Sequence, residues 1–285
     1  MHEFYDESIH GLESQEERLR AARVLSQAGI RCLIHGEDPL SFIYFVPTGL
    51  FELHVIVANK DVHRAVAEIH GSLPYRVFTG ILDHFNDPLL FDPNRTRAYP
   101  NSIFLKPFSN DSRDPDMIIV HPESDFNLVV SDYSRSVPLP PFPDNIRFPT
   151  RVAFLDSAIE TRLDPNSSLV THRATQKLSI WISYIIAYTL RNRPIVLPNG
   201  DLDPEAEALK CSLRPENQPQ FEANLRHTVN SRDRSHHMLI RREILRNMGN
   251  DYKKMRADRA HQQAQQQQQQ STISSRITTP SSCQR

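Results

Sequence analysis

Five residues near the start of the chain could bind a metal ion or a phosphate. Gly36, Glu37 and Asp38 follow one short apolar segment, and Glu52 and His54 stand two positions apart in the next. Carboxylate oxygens and imidazole nitrogens are common metal ligands. Glu52 alone could bind one magnesium ion, for which His54 is a poor ligand. These five residues are the candidate cleft and metal-binding residues.

The segment that contains Glu52 and His54 is β-branched and apolar, which predicts a strand. Side chains alternate along a strand, so Phe51, Leu53 and Val55 should face one way and Glu52 and His54 the other. A structural interpretation stays open beside the chemical one, because Glu52 and His54 also suit the solvated face of a half-buried strand.

Two further interpretations apply to the neighbouring residues. Glu37 and Asp38 are equally compatible with acids that offset a helix dipole, and His35 with a core histidine that makes one hydrogen bond. A mixed zinc or manganese site of His35, Asp38, Glu52 and His54 would require the two strands to be adjacent and parallel. Lone clusters at His236-His237 and around His121-x-Glu123-x-Asp125 are expected at the surface.

The flanking pattern predicts an α/β (α+β) half over residues 15–135. Periodicity indicates a helix over 15–28, a strand over 31–35, a strand over 50–57 and a helix over 61–70, after a flexible 1–14. Further strands are predicted at 75–79, 102–106, 117–121 and 126–130, the last two forming a hairpin. Such alternation favours helices layered on a mixed sheet.

The segment 136–149 is rich in proline and predicts an extended linker between two halves. Apolar residues then recur with helical spacing, which indicates an all-helical half over 150–260. Its helices are expected at 152–163, at 178–189, at 203–213 and, as one long helix suited to a coiled coil, from 221 onward. The Gln-rich, Ser/Thr-rich tail 261–285 is expected to be disordered.

Parts of the chain resemble the nucleotidyltransferase-like superfamily, and more closely a group of fungal proteins with that fold. The resemblance covers about residues 15–190. It is carried by ARVLSQAGIRCLIHGEDPL at 22–40, VPTGLFELHVIV at 46–57, DVHRAVAEIH at 61–70 and RFPTRVAFLDSAIETRLD at 147–164. It implies a mixed-sheet half followed by a helical half.

In active members a Gly-Ser or Gly-Gly turn holds the triphosphate, and an Asp-x-Asp pair with a third carboxylate holds two magnesium ions. In this chain the turn is Gly36-Glu37, so an acid stands where a phosphate would approach. The strand pair is Glu52-Leu53-His54, and Asp116 and Asp125 are the candidates for the third carboxylate. The resemblance therefore implies an ancestry more firmly than an activity.

The sequence lacks the motifs of several other classes of protein. The three cysteines, Cys32, Cys211 and Cys283, form no CxxC pair, which indicates neither a zinc ribbon nor a disulfide framework. No GxG, GxxxxGK[ST] or GxSxG motif is present. The acidic N-terminus and the shortness of the apolar runs predict an intracellular, cytoplasmic protein with no membrane partner, the nucleus being the alternative.

A basic arm is predicted on the C-terminal helix between Arg232 and Arg259, where Lys and Arg outnumber Asp and Glu. A solvated helix face is the default interpretation of this arm. The alternative is contact with a nucleic acid or a protein.

These observations predict a degenerate, non-catalytic pseudoenzyme that binds a small ligand, a nucleotide or a protein partner. The first alternative is a magnesium-dependent nucleotidyltransferase that acts on a small molecule or RNA, with magnesium and nucleotide as cofactors. The second is an interaction protein that uses the basic helix.

Overall fold

The computed structural model describes residues 4–79, 99–108, 115–164, 172–190, 194–228 and 233–249. Residues 1–241 form one compact unit, and 242–285 are assigned to a second. The predictions for the tail 261–285 and for the arm at Arg232 and beyond Gly249 lie outside the described residues.

The described residues contain seven strands and nine α-helices. The strands are β1 Cys32–His35, β2 Glu52–Val57, β3 Tyr75–Phe78, β4 Ile103–Pro107, β5 Met117–Pro122, β6 Ser136–Pro138 and β7 Ile146–Pro149. The helices are α1 Leu12–Arg18, α2 Arg20–Gln27, α3 Glu37–Phe42, α4 Val62–Ser72, α5 Arg151–Leu163, α6 His172–Thr189, α7 Pro204–Ser212, α8 Gln218–Leu225 and α9 Arg234–Asn247.

The strands form one mixed sheet in the order β3-β4-β5-β2-β1-β7-β6. β2 lies at its centre, antiparallel to β1 and parallel to β5. β7 runs parallel to β1 on the other side. The predicted α+β class is confirmed. In the described residues, no helix is long and apolar enough to cross a membrane.

Apolar side chains cover both faces of the sheet. Leu53 and Val55 of β2 pack in one core cluster with residues of α2 and α4, such as Leu25 and Ala65. Ile56 belongs to a second cluster with residues of α5 and α6. The predicted alternation is confirmed for Leu53 and Val55, because side chains on the two sides of the strand enter different cores.

The interpretation of Glu52 and His54 as a solvated strand face is wrong. Their residues are only 5% and 0% exposed, because α5 and α6 cover that face of the sheet. Phe51, by contrast, precedes β2 and is 57% exposed. A charged carboxylate and an imidazole are thus buried in the central strand, where they need partners.

The prediction of a linker over 136–149 is corrected, because this segment contains β6 and β7. Ile146 and Phe148 are fully buried in the same core as β1. Pro138 and Pro149 are the last residues of their strands, where a missing N–H interrupts little of the ladder. The predicted helical half shares its core with the sheet: Phe154 and Trp181 pack in the cluster that contains Leu33.

Three local predictions also differ from the structure. The 126–130 strand is absent from the described fold: Glu123–Phe126 is a 3₁₀ turn and Asn127 is left-handed, with φ 52°. The helix predicted over 15–28 is two helices, α1 and α2, which meet at the buried Leu19. The long helix from 221 is also divided, because α8 ends at Leu225 before α9 begins.

Candidate functional site

The site begins at the turn between β1 and α3. Gly36 has φ 80° and ψ −134°, a conformation that side-chain-bearing residues rarely adopt. A Cβ at this position would lie 2.9 Å from Cδ2 of His54 and 3.2 Å from Cζ2 of Trp181. Glycine is therefore required twice, by the backbone and by the close approach of β2 and α6.

Asp38, one of the five candidate residues, is held by an arginine. Arg18 at the end of α1 forms a two-pronged ion pair with the Asp38 carboxylate and donates to the carbonyl oxygen of Glu52 at 3.0 Å. Burial lowers the pKa of Arg18, but Asp38, with Glu37 and Glu52, raises the pKa more, so the guanidinium stays charged. Asp38 thus fastens α1 and α3 to β2.

Glu37 and Glu52 meet at a residue that the sequence analysis did not name, Lys177 of α6. Lys177 Nζ donates to Glu52 Oε2 at 2.8 Å and lies 3.2 Å from Glu37 Oε1. The two carboxylate side chains are 7% and 8% exposed and the lysine 21%. Nζ also stands 5.6 Å from the centre of the Trp181 ring, which suits a cation–π contact.

The charges of this group are coupled. Burial lowers the pKa of Lys177, but Glu37, Tyr99 and Glu52 outweigh it, and the pKa is raised overall. Burial raises the pKa of Glu37 more than Lys177 lowers it. Lys177 therefore keeps its proton, while Glu37 gains one more readily than an ordinary exposed carboxyl does.

His54 extends the site into the sheet. Its Nε2 lies 3.4 Å from Lys177 Nζ, and its Nδ1 lies 2.9 Å from Nε2 of His121 on β5. His121 Nδ1 in turn lies 2.7 Å from Ser102 Oγ. Burial is the largest of the influences that hold the pKa values of His54 and His121 well below the ordinary value, so both rings are neutral.

The prediction that the cluster around His121 is a surface feature is wrong. His121, Glu123 and Asp125 are all buried, because β5 is an inner strand. Glu123 Oε2 accepts from the Val130 N–H, and Asp125 accepts from Asn101. Through these hydrogen bonds, Glu123 and Asp125 stabilise the loop after β5.

His35 is a core histidine, although it makes no hydrogen bond with described residues through either ring nitrogen. Its ring stacks on Phe154 at 4.8 Å and contacts Phe126 and Trp181. Burial lowers its pKa to about 3. This environment leaves His35 neutral and surrounded by aromatic rings.

The mixed zinc or manganese site required parallel strands, but β1 and β2 are antiparallel. Asp38 is bound to Arg18, and His35 lies among the aromatic rings. Among the described residues, no group of three or more His, Cys, Asp or Glu is arranged to hold a metal ion. Asp116, the other candidate third carboxylate, is exposed just before β5.

Two arginines of the predicted basic arm contact the protein itself. Arg234 Nε donates to the carbonyl of Arg162, and Arg241 lies 3.3 Å from the Glu160 carboxylate. His237 beside them is buried, contrary to the expectation for His236-His237, whereas His236 is exposed. These contacts remove two cations from any surface that α9 offers to a nucleic acid.

Comparison of the chain with protein-family models, with curated proteins and with solved structures finds no match. The site is therefore interpreted from its own geometry. The structure brings together Gly36, Glu37, Glu52 and His54, assigns Asp38 to Arg18, and adds Lys177, His121 and Ser102.

Proposed function

We propose that this chain is a non-catalytic protein of nucleotidyltransferase-like ancestry that binds a small ligand or a protein partner at the site around Lys177. The observation that carries this proposal is the position of the Lys177 ammonium, between the carboxylates of Glu37 and Glu52. The two carboxylates that a metal-dependent site would use to bind a metal ion are instead paired with the ammonium of Lys177.

The argument against transfer is electrostatic. Two-metal phosphoryl transfer needs hard oxygen ligands for two ions about 3.5–4 Å apart. Lys177 Nζ lies 2.8 Å from Glu52 Oε2. A divalent ion bound to the Glu52 carboxylate would therefore lie close to the ammonium, and the two cations would repel each other. Glu37, directly after Gly36, would repel a triphosphate unless it were protonated.

The neighbouring strand supports the same conclusion. From β5, the residue that reaches His54 is His121, a neutral imidazole rather than a carboxylate. Neutral imidazoles are poor ligands for magnesium. Within the described residues, the site therefore has two carboxylates, and both are already paired with an ammonium.

A binding role is supported by the partial exposure of the lysine side chain. The Lys177 side chain is 21% exposed, whereas the side chains of Glu37 and Glu52 are below 10%. Of these three side chains, Lys177 is the most exposed to an approaching ligand. We therefore expect the ligand or partner to present a hydrogen-bond acceptor, such as a carboxylate or a carbonyl oxygen.

The test is a transfer assay on the full chain with radiolabelled ATP, magnesium or manganese, and RNA or small alcohols as acceptors. We expect no labelled product from the wild type. A metal-dependent product that Glu52→Ala abolishes, and that the matched control Glu68→Ala on α4 retains, would overturn the proposal. Calorimetry with ATP, with and without magnesium, should show no metal-dependent binding.

A further inference from the structure

Four polar side chains form a continuous buried chain from the site to the far side of β5. The chain runs from Lys177 Nζ to His54 Nε2 (3.4 Å), from His54 Nδ1 to His121 Nε2 (2.9 Å), and from His121 Nδ1 to Ser102 Oγ (2.7 Å). His54 and His121 are 0% exposed and Ser102 3%. Each link joins a group that can donate to one that can accept.

We infer that the Lys177 ammonium fixes the direction of this buried hydrogen-bond chain, and that withdrawal of the ammonium reverses it as far as Ser102. An ammonium has only donors, and a neutral imidazole has one donor and one acceptor. Nε2 of His54 must therefore accept, which places its proton on Nδ1. His121 then accepts at Nε2 and carries its own proton on Nδ1, so Ser102 Oγ is an acceptor.

The reversed direction has its own terminal acceptor. Glu37 Oε2 is buried, has no hydrogen-bond partner among the described residues, and lies 4.0 Å from His54 Nε2. If the ammonium moves away, a proton on His54 Nε2 can be directed at this oxygen. His54 Nδ1 then accepts from His121 Nε2–H, and His121 Nδ1 accepts from Ser102 Oγ–H.

The two directions differ at Ser102, which changes from acceptor to donor. A serine hydroxyl that donates to a histidine is in the arrangement that allows the histidine to act as a base. Tyr99 contacts both imidazoles, at ring-centre distances of 5.5 Å from His54 and 5.0 Å from His121, and so helps to hold the two rings in place. The Tyr99 carbonyl also accepts from the Ser102 N–H.

The consequence concerns regulation of the proposed binding site. An acidic group of a ligand that draws Lys177 outward changes the hydrogen bonding of Ser102, which Lys177 does not touch. This consequence rests on the proposed function, but the direction of the chain in the free protein does not. If the proposed binding function is wrong, the predicted tautomers of the free protein are unaffected; if the tautomers are wrong, the binding proposal still stands.

The test is a long-range proton–nitrogen correlation spectrum of the full chain with ¹⁵N-labelled histidine. It shows which ring nitrogen carries the proton. The signals of His54 and His121 are assigned by their proximity to the Tyr99 ring. We expect both rings of the wild type to be Nδ1–H tautomers, and finding either as an Nε2–H tautomer would overturn the inference.

Two variants then locate the group that sets the direction. Lys177→Met keeps an unbranched side chain one atom shorter and removes the charge, and both rings should convert to Nε2–H tautomers. Ser102→Ala removes the other end and keeps Lys177, so both rings should remain Nδ1–H. Unchanged tautomers in Lys177→Met, or converted tautomers in Ser102→Ala, would contradict control by Lys177. If Lys177→Met does not fold, the wild type and Ser102→Ala still decide.

Discussion

Among the described residues of the compact unit 1–241, two of the buried charge clusters are balanced differently. The Lys177 cluster consists of Glu37, Glu52, Lys177 and His54. The α5 cluster consists of Asp156, Glu160, Glu216, Arg135, Arg214 and Arg241. In the α5 cluster three guanidiniums serve three carboxylates, whereas in the Lys177 cluster one ammonium serves two.

The α5 cluster has the arrangement expected of a structural anchor. Asp156 accepts from Arg135 and from the side chain of Asn217, and Glu160 accepts from Arg214 and lies close to Arg241. These contacts fasten the segment before α8, and the first part of α9, to α5. Paired charges with additional hydrogen bonds offset the cost of burial.

The Lys177 cluster, in contrast, has fewer cations than carboxylates, and burial raises the pKa of its Glu37 carboxyl. Such an arrangement is not the most stable one for a buried site, and perturbed carboxyls of this kind concentrate at functional sites. The comparison indicates that the α5 cluster stabilises the fold, whereas the Lys177 cluster has the charge arrangement expected of the proposed binding site.

The largest expected effect comes from Lys177→Met. It leaves two buried carboxylates without their shared cation, so the free energy of unfolding should fall by about 3–5 kcal/mol, the range for a broken buried pair. Urea unfolding at pH 7 measures it, with exposed Lys60→Met as the matched control. A loss of under about 1 kcal/mol would mean that the carboxylates are stable without Lys177.

Gly36→Ala tests the close approach of His54 to the turn. The backbone conformation costs about 1–3 kcal/mol for alanine, and the 2.9 Å contact adds to it. Gly200→Ala is the matched control, because Gly200 has φ 89° but nothing within 4 Å of a Cβ. Equal losses of unfolding free energy in the two variants would show that His54 does not press on Gly36.

The acid sensitivity of the fold should come from the side of the sheet that carries the Lys177 cluster. His35 has a folded pKa of about 3 against 6.5 when unfolded, so its contribution is present above pH 6.5 and is lost as the pH falls towards 3. From pH 7 to pH 5, His35→Phe should therefore lose about 2 kcal/mol less than the wild type. Equal losses in urea unfolding would mean that His35 is protonated when folded.

The smallest expected effect is that of Arg241→Met in the α5 cluster. Glu160 keeps its contact with Arg214, and the variant removes only the longer contacts of Arg241 with Glu160, Glu216 and Asn217, so the loss should be about 1 kcal/mol. The double variant Arg214→Met/Arg241→Met should lose more than the sum of the single losses. A single loss as large as that of Lys177→Met would remove the difference between the two clusters.

Local pattern was sufficient for much of the fold. Apolar alternation identified β1, β2 and β5, and helical spacing identified α4, α5 and α6. The proline-rich segment with β6 and β7 was mispredicted, because its prolines indicate extended chain and do not show that hydrogen bonds to a distant strand turn that chain into β-strands. Those bonds depend on β1, more than a hundred residues earlier in the chain.

The site was predictable in part for the same reason. Gly36, Glu37, Glu52 and His54 are close in sequence and lie together in space, as the spacing suggested. Lys177 lies one residue before the helix that was predicted over 178–189, and no local pattern indicates that its side chain reaches β2. Its four-residue spacing from Trp181, which suits a cation–π pair, was the available signal.

The central claim is that Lys177 stands in place of a metal ion, and manganese binding tests it most directly. Electron paramagnetic resonance reports free manganese in the presence of ATP and the full chain. The account predicts that the wild type leaves the free manganese signal at the level set by ATP alone. The claim would be contradicted if the wild type lowered the free manganese signal, if Glu52→Ala no longer lowered it, and if the control Lys60→Met still did.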